Sequence, residues 1–107
     1  MIDWPRVKEL REEVGPEDFG EVVEIFLEEV ESALEKLRAG NRSQLEQDLH
    51  FLKGSALNLG FEQFSALCLE GEREAAVGNA DGVNLQAILA SFEASKTRFL
   101  KDLPARF

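Results

Sequence analysis

The residues best suited to chemistry in this chain surround His50, its only histidine. If residues 43–59 form a helix, Glu46, Gln47, Lys53 and Gly54 lie three or four positions from His50 and share its face. The apolar stripe of that helix centres roughly 140° away from His50, so the imidazole points to solvent. Near neutral pH an exposed imidazole is largely uncharged and nucleophilic. The sequence therefore offers one exposed nucleophile on a polar helix face.

Two residues on this face are unusual for an ordinary solvated surface. Gly54 in mid-helix costs about 1 kcal/mol relative to alanine, and Leu57 places an apolar side chain one turn beyond it. Both fit a surface where the backbone of another molecule docks close to the imidazole. The alternative is that Gly54 relieves crowding against a neighbouring helix, that Leu57 is a scattered surface leucine, and that His50 is incidental.

Five amphipathic segments, separated by turns that contain glycine or proline, provide the framework for this face. Apolar residues recur in each at intervals of three and four, which is the period of a helix with one buried side. Few runs alternate with a period of two, so strands are not expected. The predicted helices are residues 7–14, 17–39, 43–59, 61–77 and 81–102.

Local signals set the predicted helix ends. Ser43 is expected to cap the third helix at its N-terminus, with Glu46 completing a capping box, and Asp81 to cap the fifth. Glycine or proline stops the other ends. These stops are Gly15-Pro16, Gly40-Asn41, Gly60 and Leu103-Pro104.

Four helices of similar length joined by short loops predict an all-α fold, namely an antiparallel up-down-up-down four-helix bundle. The first helix is too short to span this bundle and is expected to pack at one end as an additional N-terminal helix. A chain of 107 residues suffices for one domain and is too short for two, so residues 1–107 are interpreted as a single domain.

Composition argues against several classes of function. The chain has 21 acidic and 12 basic residues, a net charge of -9, which repels nucleic-acid phosphates and anionic lipids. We therefore expect neither nucleic acid nor membrane as a partner. Cys68 is the only cysteine, which excludes an internal disulfide and a cysteine-based metal cluster. The sequence has no signal-peptide pattern and no apolar run of roughly 20 residues, so the predicted location is cytoplasmic.

The segment from His50 to Gly60 resembles a known signature. Its sequence, HFLKGSALNLG, is similar to the His-x-Leu-Lys-Gly-Ser-(Ser/Ala)-x-x-Leu-Gly motif of histidine-containing phosphotransfer (HPt) domains. The sequence LCLE at residues 67–70 also resembles part of the next helix in that family. The resemblance extends over essentially the whole chain. Gly71 departs from it, because a larger residue is usual there, and is expected to loosen the fourth helix without affecting the site.

The resemblance implies that the protein is a phosphorelay intermediate of two-component signal transduction. Because the sequence has no kinase or phosphatase motif, we expect a phosphoprotein that carries phosphoryl groups and is not an enzyme. His50, through Nε2, is expected to accept a phosphoryl group from a receiver-domain phosphoaspartate or a partner kinase and to pass it to another receiver aspartate. Lys53 is expected to stabilise the phosphoryl oxygens. The implied partners are response-regulator receiver domains and a sensor (hybrid) histidine kinase. The chain is expected to need no cofactor or metal ligands of its own, because the receiver supplies Mg²⁺. We also expect a monomer.

Receiver docking is predicted for the rest of this face, namely Gly54, Leu57, Gln47, Glu46 and Ser55. Two of these residues have alternative interpretations. The hydroxyl of Ser55 either contacts the phosphoryl region or bonds back to a helical carbonyl. Glu46 either orients the imidazole or belongs to a solvated surface.

Other functions remain open from the sequence. A non-catalytic helical-bundle interaction module would bind a partner through Leu57, with His50 incidental. A ferritin-like metal enzyme needs paired Glu-x-x-His motifs on two helices, whereas the only histidine here follows Gln47 at that spacing. The first and last residues favour a free-standing protein over a domain excised from a larger kinase. The cognate kinase and receivers, the direction and rate of transfer, self-association and the pathway output are not encoded in recognisable form.

Overall fold

The computed structural model describes residues 2–107, which form five α-helices and no β-strand. A single residue pair, Ile2 with Phe61, makes an isolated antiparallel bridge. The predicted all-α class is confirmed. The helices are α1 Trp4–Val14, α2 Phe19–Arg38, α3 Leu45–Leu59, α4 Glu62–Ala76 and α5 Leu85–Arg106, with a short 3₁₀ turn at Ala80–Gly82.

Helices α2 to α5 form the predicted four-helix bundle. Each packs against its two neighbours in the ring, α2 on α3 and α5, and α4 on α3 and α5. The molecule is elongated, with extents of 43 × 21 × 20 Å, as expected for helices lying side by side. Within residues 2–107 no helix combines the length and the apolarity that crossing a membrane requires.

One hydrophobic core runs along the bundle, because each helix turns its apolar stripe inward. The residues that the helical period predicts for the inner face of α3 and α5 are all buried. They are Leu45, Leu49, Leu52, Ala56 and Leu59 in α3, and Leu85, Ile88, Phe92, Ser95 and Phe99 in α5. Four phenylalanines with ring centroids 5.3–6.1 Å apart fill the part of the core between α4 and α5. They are Phe61, Phe64, Phe92 and Phe99.

Helix α1 lies at one end of the bundle, as predicted, and packs on α2 and α3. The turn between α3 and α4 holds it there. Gly60 has a φ of 74°, its carbonyl accepts a hydrogen bond from Asp3 N–H at 2.7 Å, and a Cβ on Gly60 would lie 2.7 Å from the Asp3 carbonyl oxygen. Only glycine fits this close crossing. Arg6 adds a 2.8 Å bond to the Asn58 side chain on α3.

The predicted cap of α3 is wrong. Helix α3 begins at Leu45 with Gln44 as its N-cap, and no side chain caps it. Ser43 instead donates its hydroxyl to the Asn41 side chain at 2.7 Å. Asn41, two residues earlier in the turn, thus competes with the helix backbone for the Ser43 hydroxyl.

Both predicted ends of α5 also differ from the structure. Asn84, not Asp81, caps the helix by accepting from Ala87 N–H at 3.0 Å. The Arg42 guanidinium donates to the carbonyls of Ala80 and Val83, which flank Asp81, and the 3₁₀ turn keeps Asp81 outside the helix. At the other end α5 continues through Pro104 to Arg106, because Phe107 packs edge-on against Phe19 and its N–H bonds to the Leu103 carbonyl.

Candidate functional site

His50 lies in the middle of α3 and its side chain is 69% exposed, whereas the adjacent Leu49 is fully buried. The helical period alone predicts this contrast, and the structure confirms it. The imidazole therefore stands on the outer surface of the bundle, supported by a helix whose opposite face is fixed in the core.

A carboxylate from the neighbouring helix holds the imidazole. Glu72 on α4 places Oε2 at 2.9 Å from Nδ1 of His50 and accepts at Oε1 from Nζ of Lys53 at 2.8 Å. Lys53 and Glu72 are both partly buried. One carboxylate thus bridges His50 and Lys53 of α3, and the candidate site spans α3 and α4.

The ionised state of Glu72 determines which ring nitrogen of His50 carries the proton. The hydrogen bond from Lys53, aided by that from His50, lowers the pKa of Glu72 despite an opposing contribution from desolvation. An ionised carboxylate can only accept, so the bond at 2.9 Å requires that Nδ1 of His50 carries the proton and donates. In the neutral ring Nε2 then keeps its lone pair, directed away from Glu72.

Gly71 lies where α4 packs closely against Leu49 of α3, beside this bridge. A Cβ on Gly71 would lie 2.7 Å from Cδ1 of Leu49 and 3.1 Å from Cγ1 of Val83, so the missing side chain makes room for Leu49. Leu49 and Gly71 immediately precede His50 and Glu72 in the sequence. The expectation that Gly71 loosens α4 without affecting the site stays a prediction, and the structure adds that this glycine is buried where the two helices pack.

Most of the residues predicted for docking share the exposed surface of His50. Glu46, Gln47, Gly54 and Leu57 are exposed, and Leu57 is 56% accessible. A Cβ on Gly54 would meet nothing within 4 Å, so crowding by a neighbouring helix does not explain this glycine. The structure shows no hydrogen bond between Glu46 and the imidazole, since Glu72 occupies that role.

Ser55 does not belong to this surface. It is only 8% exposed and lies on the buried side of α3. The position of Ser55 does not support the prediction that it contributes to docking, because its side chain faces other helices rather than solvent.

The sequence did not predict two residues that the structure places beside His50. Phe51, next to His50, is 43% exposed, and a large aromatic residue outside the predicted apolar stripe was the available signal. Glu72 had no such signal, because its contact with His50 depends on the register between two helices.

Cys68 and the acidic side chains are the other groups in the chain that could carry chemistry. Cys68 is buried in the core, where desolvation raises the pKa of its thiol to about 12, so it is no nucleophile near neutral pH. Among residues 2–107 no three histidine, cysteine, aspartate or glutamate side chains are grouped as metal ligands.

A family model described as an Hpt domain matches residues 21–98, well over half of the chain. The matched segment contains nearly all of α2, the whole of α3 and α4, and most of α5. It therefore includes His50, Lys53 and Glu72. No curated protein and no solved structure matches the chain.

Proposed function

This chain belongs to the Hpt domain family, whose members carry phosphoryl groups in two-component phosphorelays, and we propose that His50 is the residue that carries the phosphoryl group here. The observation that supports this most directly is the exposed imidazole whose Nδ1 is tied to the Glu72 carboxylate. That bond leaves Nε2 free to act as the nucleophile.

In the proposed transfer, the Nε2 lone pair attacks the phosphorus of a receiver phosphoaspartate. The N–P bond forms as the bond between phosphorus and the aspartyl oxygen breaks, and the electron pair leaves with the aspartate as a carboxylate. The ring becomes cationic when Nε2 is phosphorylated while Nδ1 keeps its proton. Glu72, 2.9 Å from Nδ1, stabilises that charge. Transfer to a second receiver reverses these steps.

Lys53 acts on the phosphoryl group through its charge. Its Nζ lies 2.8 Å from Glu72, one helical turn from His50, so its position is fixed before any phosphoryl group arrives. A cation held in place in this way lowers the cost of charge developing on the phosphoryl oxygens, because no reorganisation is needed at the moment of transfer.

The receiver docks on the exposed face of α3. Gly54 provides open space next to the imidazole, and the exposed side chains of Phe51 and Leu57 provide apolar contacts on either side. The phosphoryl donor and acceptor are receiver domains or a histidine kinase, and Mg²⁺ for the aspartyl phosphate chemistry is held by the receiver. The domain acts as a carrier, since the family consists of phosphocarriers rather than autonomous enzymes.

The test is incubation with a panel of receiver domains carrying ³²P-phosphoaspartate. We expect label to reach this protein as an acid-labile, base-stable phosphate, as a nitrogen–phosphorus bond requires. His50→Gln is expected to abolish labelling and to keep the helical circular-dichroism spectrum, because the side chain is exposed. Labelling that survives His50→Gln would overturn the assignment of His50, whereas receivers that bind without transferring would favour an interaction module.

A further inference from the structure

Helices α2 and α5, which lie side by side, carry opposite charge. Helix α2 has six acidic and two basic residues, whereas α5 has four basic and two acidic residues. Within residues 2–107, α5 is the only helix with an excess of basic residues. The surface that these two helices form together, which we call the α2–α5 face, is therefore acidic on one side and basic on the other.

A contact between the two helices shows which of their residues lie level with each other. Lys96 on α5 donates to Glu31 on α2 at 3.3 Å. Because the helices are antiparallel, a residue five positions beyond Lys96 lies level with one five positions before Glu31. Lys101 is therefore level with Glu24 and Glu28 of its own chain. Within residues 2–107 none of these three exposed side chains makes an ion pair.

The directions of these charges explain why they stay unpaired. At about 100° per residue, Glu28 and Lys101 each lie roughly 150° from the centre of the buried stripe of their helix. Both side chains therefore point away from the bundle rather than toward each other. Opposite charges at one level, both directed outward, are available to a second molecule.

Two leucines between the helices lie at the same level. Leu100 is 46% exposed, although it lies only about 40° around α5 from Lys96, which contacts α2. Leu27 on α2, four residues before Glu31, is level with Leu100 and only partly buried. This incompletely covered apolar surface would gain free energy if a partner buried it.

We propose that a second copy of this chain covers the α2–α5 face, related to the first by a two-fold axis parallel to the helices. This rotation places α2 of each copy against α5 of the other at the same level. Lys101 of one copy then meets Glu28 of the other at the rim, and the leucines of both copies meet near the axis. An axis across the helices would instead bring α2 against α2 and oppose like charges. The charge pattern thus selects both the occupant and its orientation.

The dimensions and charge of the molecule are compatible with this dimer, which departs from the monomer that the sequence predicts. A long side of the bundle measures 43 by 20 Å, and an interface of ordinary size covers about 800 Å² on each partner. The net charge of -9 opposes association, but at about 0.15 M salt repulsion beyond about 8 Å is largely screened. His50 stays accessible, because it lies toward α4 on the opposite side of the bundle.

Sedimentation equilibrium of the full chain at about 0.15 M salt tests the dimer. We expect the mass to rise with concentration from 12.0 kDa toward twice that value. Lys101→Glu and Glu28→Lys should each raise the dissociation constant about tenfold or more, because each opposes like charges in the interface. The double variant, which exchanges the two charges, should restore most of the affinity. Arg73→Glu is the matched control, since it changes the net charge as much as Lys101→Glu at an exposed position on α4.

The outcomes separate this dimer from other arrangements. A mass that stays at 12.0 kDa up to about 1 mM protein overturns the proposal. Equal weakening by Arg73→Glu, or a dimer that the exchanged charges do not restore, overturns the α2–α5 face as the interface. A monomer that loses receiver affinity in Lys101→Glu assigns the face to a receiver instead of a second copy. Sedimentation needs no receiver, so its failure leaves transfer through His50 untouched.

Discussion

Oε2 of Glu72 on α4 lies 2.9 Å from Nδ1 of His50 on α3, and this contact assigns the ring proton to Nδ1. We expect the ring ¹⁵N shifts of the native protein to report the Nδ1–H tautomer of the neutral imidazole. In Glu72→Ala the ring should revert toward the Nε2–H tautomer that free histidine prefers in water. Glu70→Ala, two residues away on the same helix, is the matched control.

Phosphoryl transfer should respond to the same substitution. A hydrogen bond to a charged group contributes about 1.5 kcal/mol or more, so its loss in Glu72→Ala should slow phosphorylation of His50 about tenfold. Rapid-quench transfer assays measure this rate. A normal rate together with a changed tautomer would show that the ring proton does not limit transfer.

The stability of the protein should depend on pH through Glu72. The folded pKa of this carboxyl is lowered, chiefly by the hydrogen bond from Lys53, relative to its ordinary value of 4.5. Its stabilising contribution is therefore fully present above about pH 4.5 and is lost as the pH falls through the lower folded value. Urea unfolding of native protein and Glu72→Gln should differ most near pH 7, and the difference should vanish in acid. A difference that grows with acidification contradicts the direction of the shift.

Gly54 should matter for docking and not for folding. Because a Cβ there meets nothing within 4 Å, Gly54→Gln should preserve stability or raise it by up to about 1 kcal/mol. The same side chain would stand between His50 and an approaching receiver, so binding and transfer should both fall by at least tenfold. Gly20 on α2 is also unobstructed, and Gly20→Gln serves as the control that leaves transfer intact. Transfer at the native rate by Gly54→Gln would remove the close-approach argument.

Lys53 should act on the chemical step rather than on binding. In Lys53→Ala we expect receiver affinity within about twofold of native and transfer at saturating receiver slowed by roughly 10- to 100-fold, since a positioned cation near the phosphoryl oxygens is lost. Lys53→Arg should restore part of the rate by keeping the charge. Equal losses in affinity and rate would instead indicate a docking residue.

The packing of Leu49 against Gly71 predicts a coupled pair. Leu49→Ala should cost about 2–5 kcal/mol through lost burial, whereas exposed Leu57→Ala should change stability little. Gly71→Ala brings a Cβ to 2.7 Å from Leu49, so it should destabilise the native protein and be tolerated better in the Leu49→Ala background. Additive free energies of unfolding in this double-mutant cycle would exclude the contact.

The sequence predicted what depends on one helix at a time. The helical period of α3 was enough to predict that Leu49 is buried and that His50, Gly54 and Leu57 are exposed, because a helix has a fixed angle per residue. Competition between neighbouring polar groups lay beyond such reasoning, so the caps at Ser43 and Asp81 were wrong. In each case another side chain, Asn41 or Arg42, changes the outcome.

What depends on two helices could not be predicted from periodicity. The contact between Glu72 and His50 requires the register of α3 against α4, which places Leu49 next to Gly71 beside it. The continuation of α5 through Pro104 likewise depends on contacts of Phe107 with another part of the chain. Both features follow from tertiary packing rather than from local preference.

The division of the site between α3 and α4 has a consequence for the protein as a signalling component. A peptide of residues 45–60, that is α3 with its C-cap Gly60, contains the complete phosphotransfer signature, yet it lacks the Glu72 carboxylate that bonds to the imidazole. Under the proposed function, the reactivity of His50 therefore depends on the assembled tertiary structure. A partly folded chain whose α4 has not docked would present the same signature without the Glu72 carboxylate, so folding would control entry into the relay.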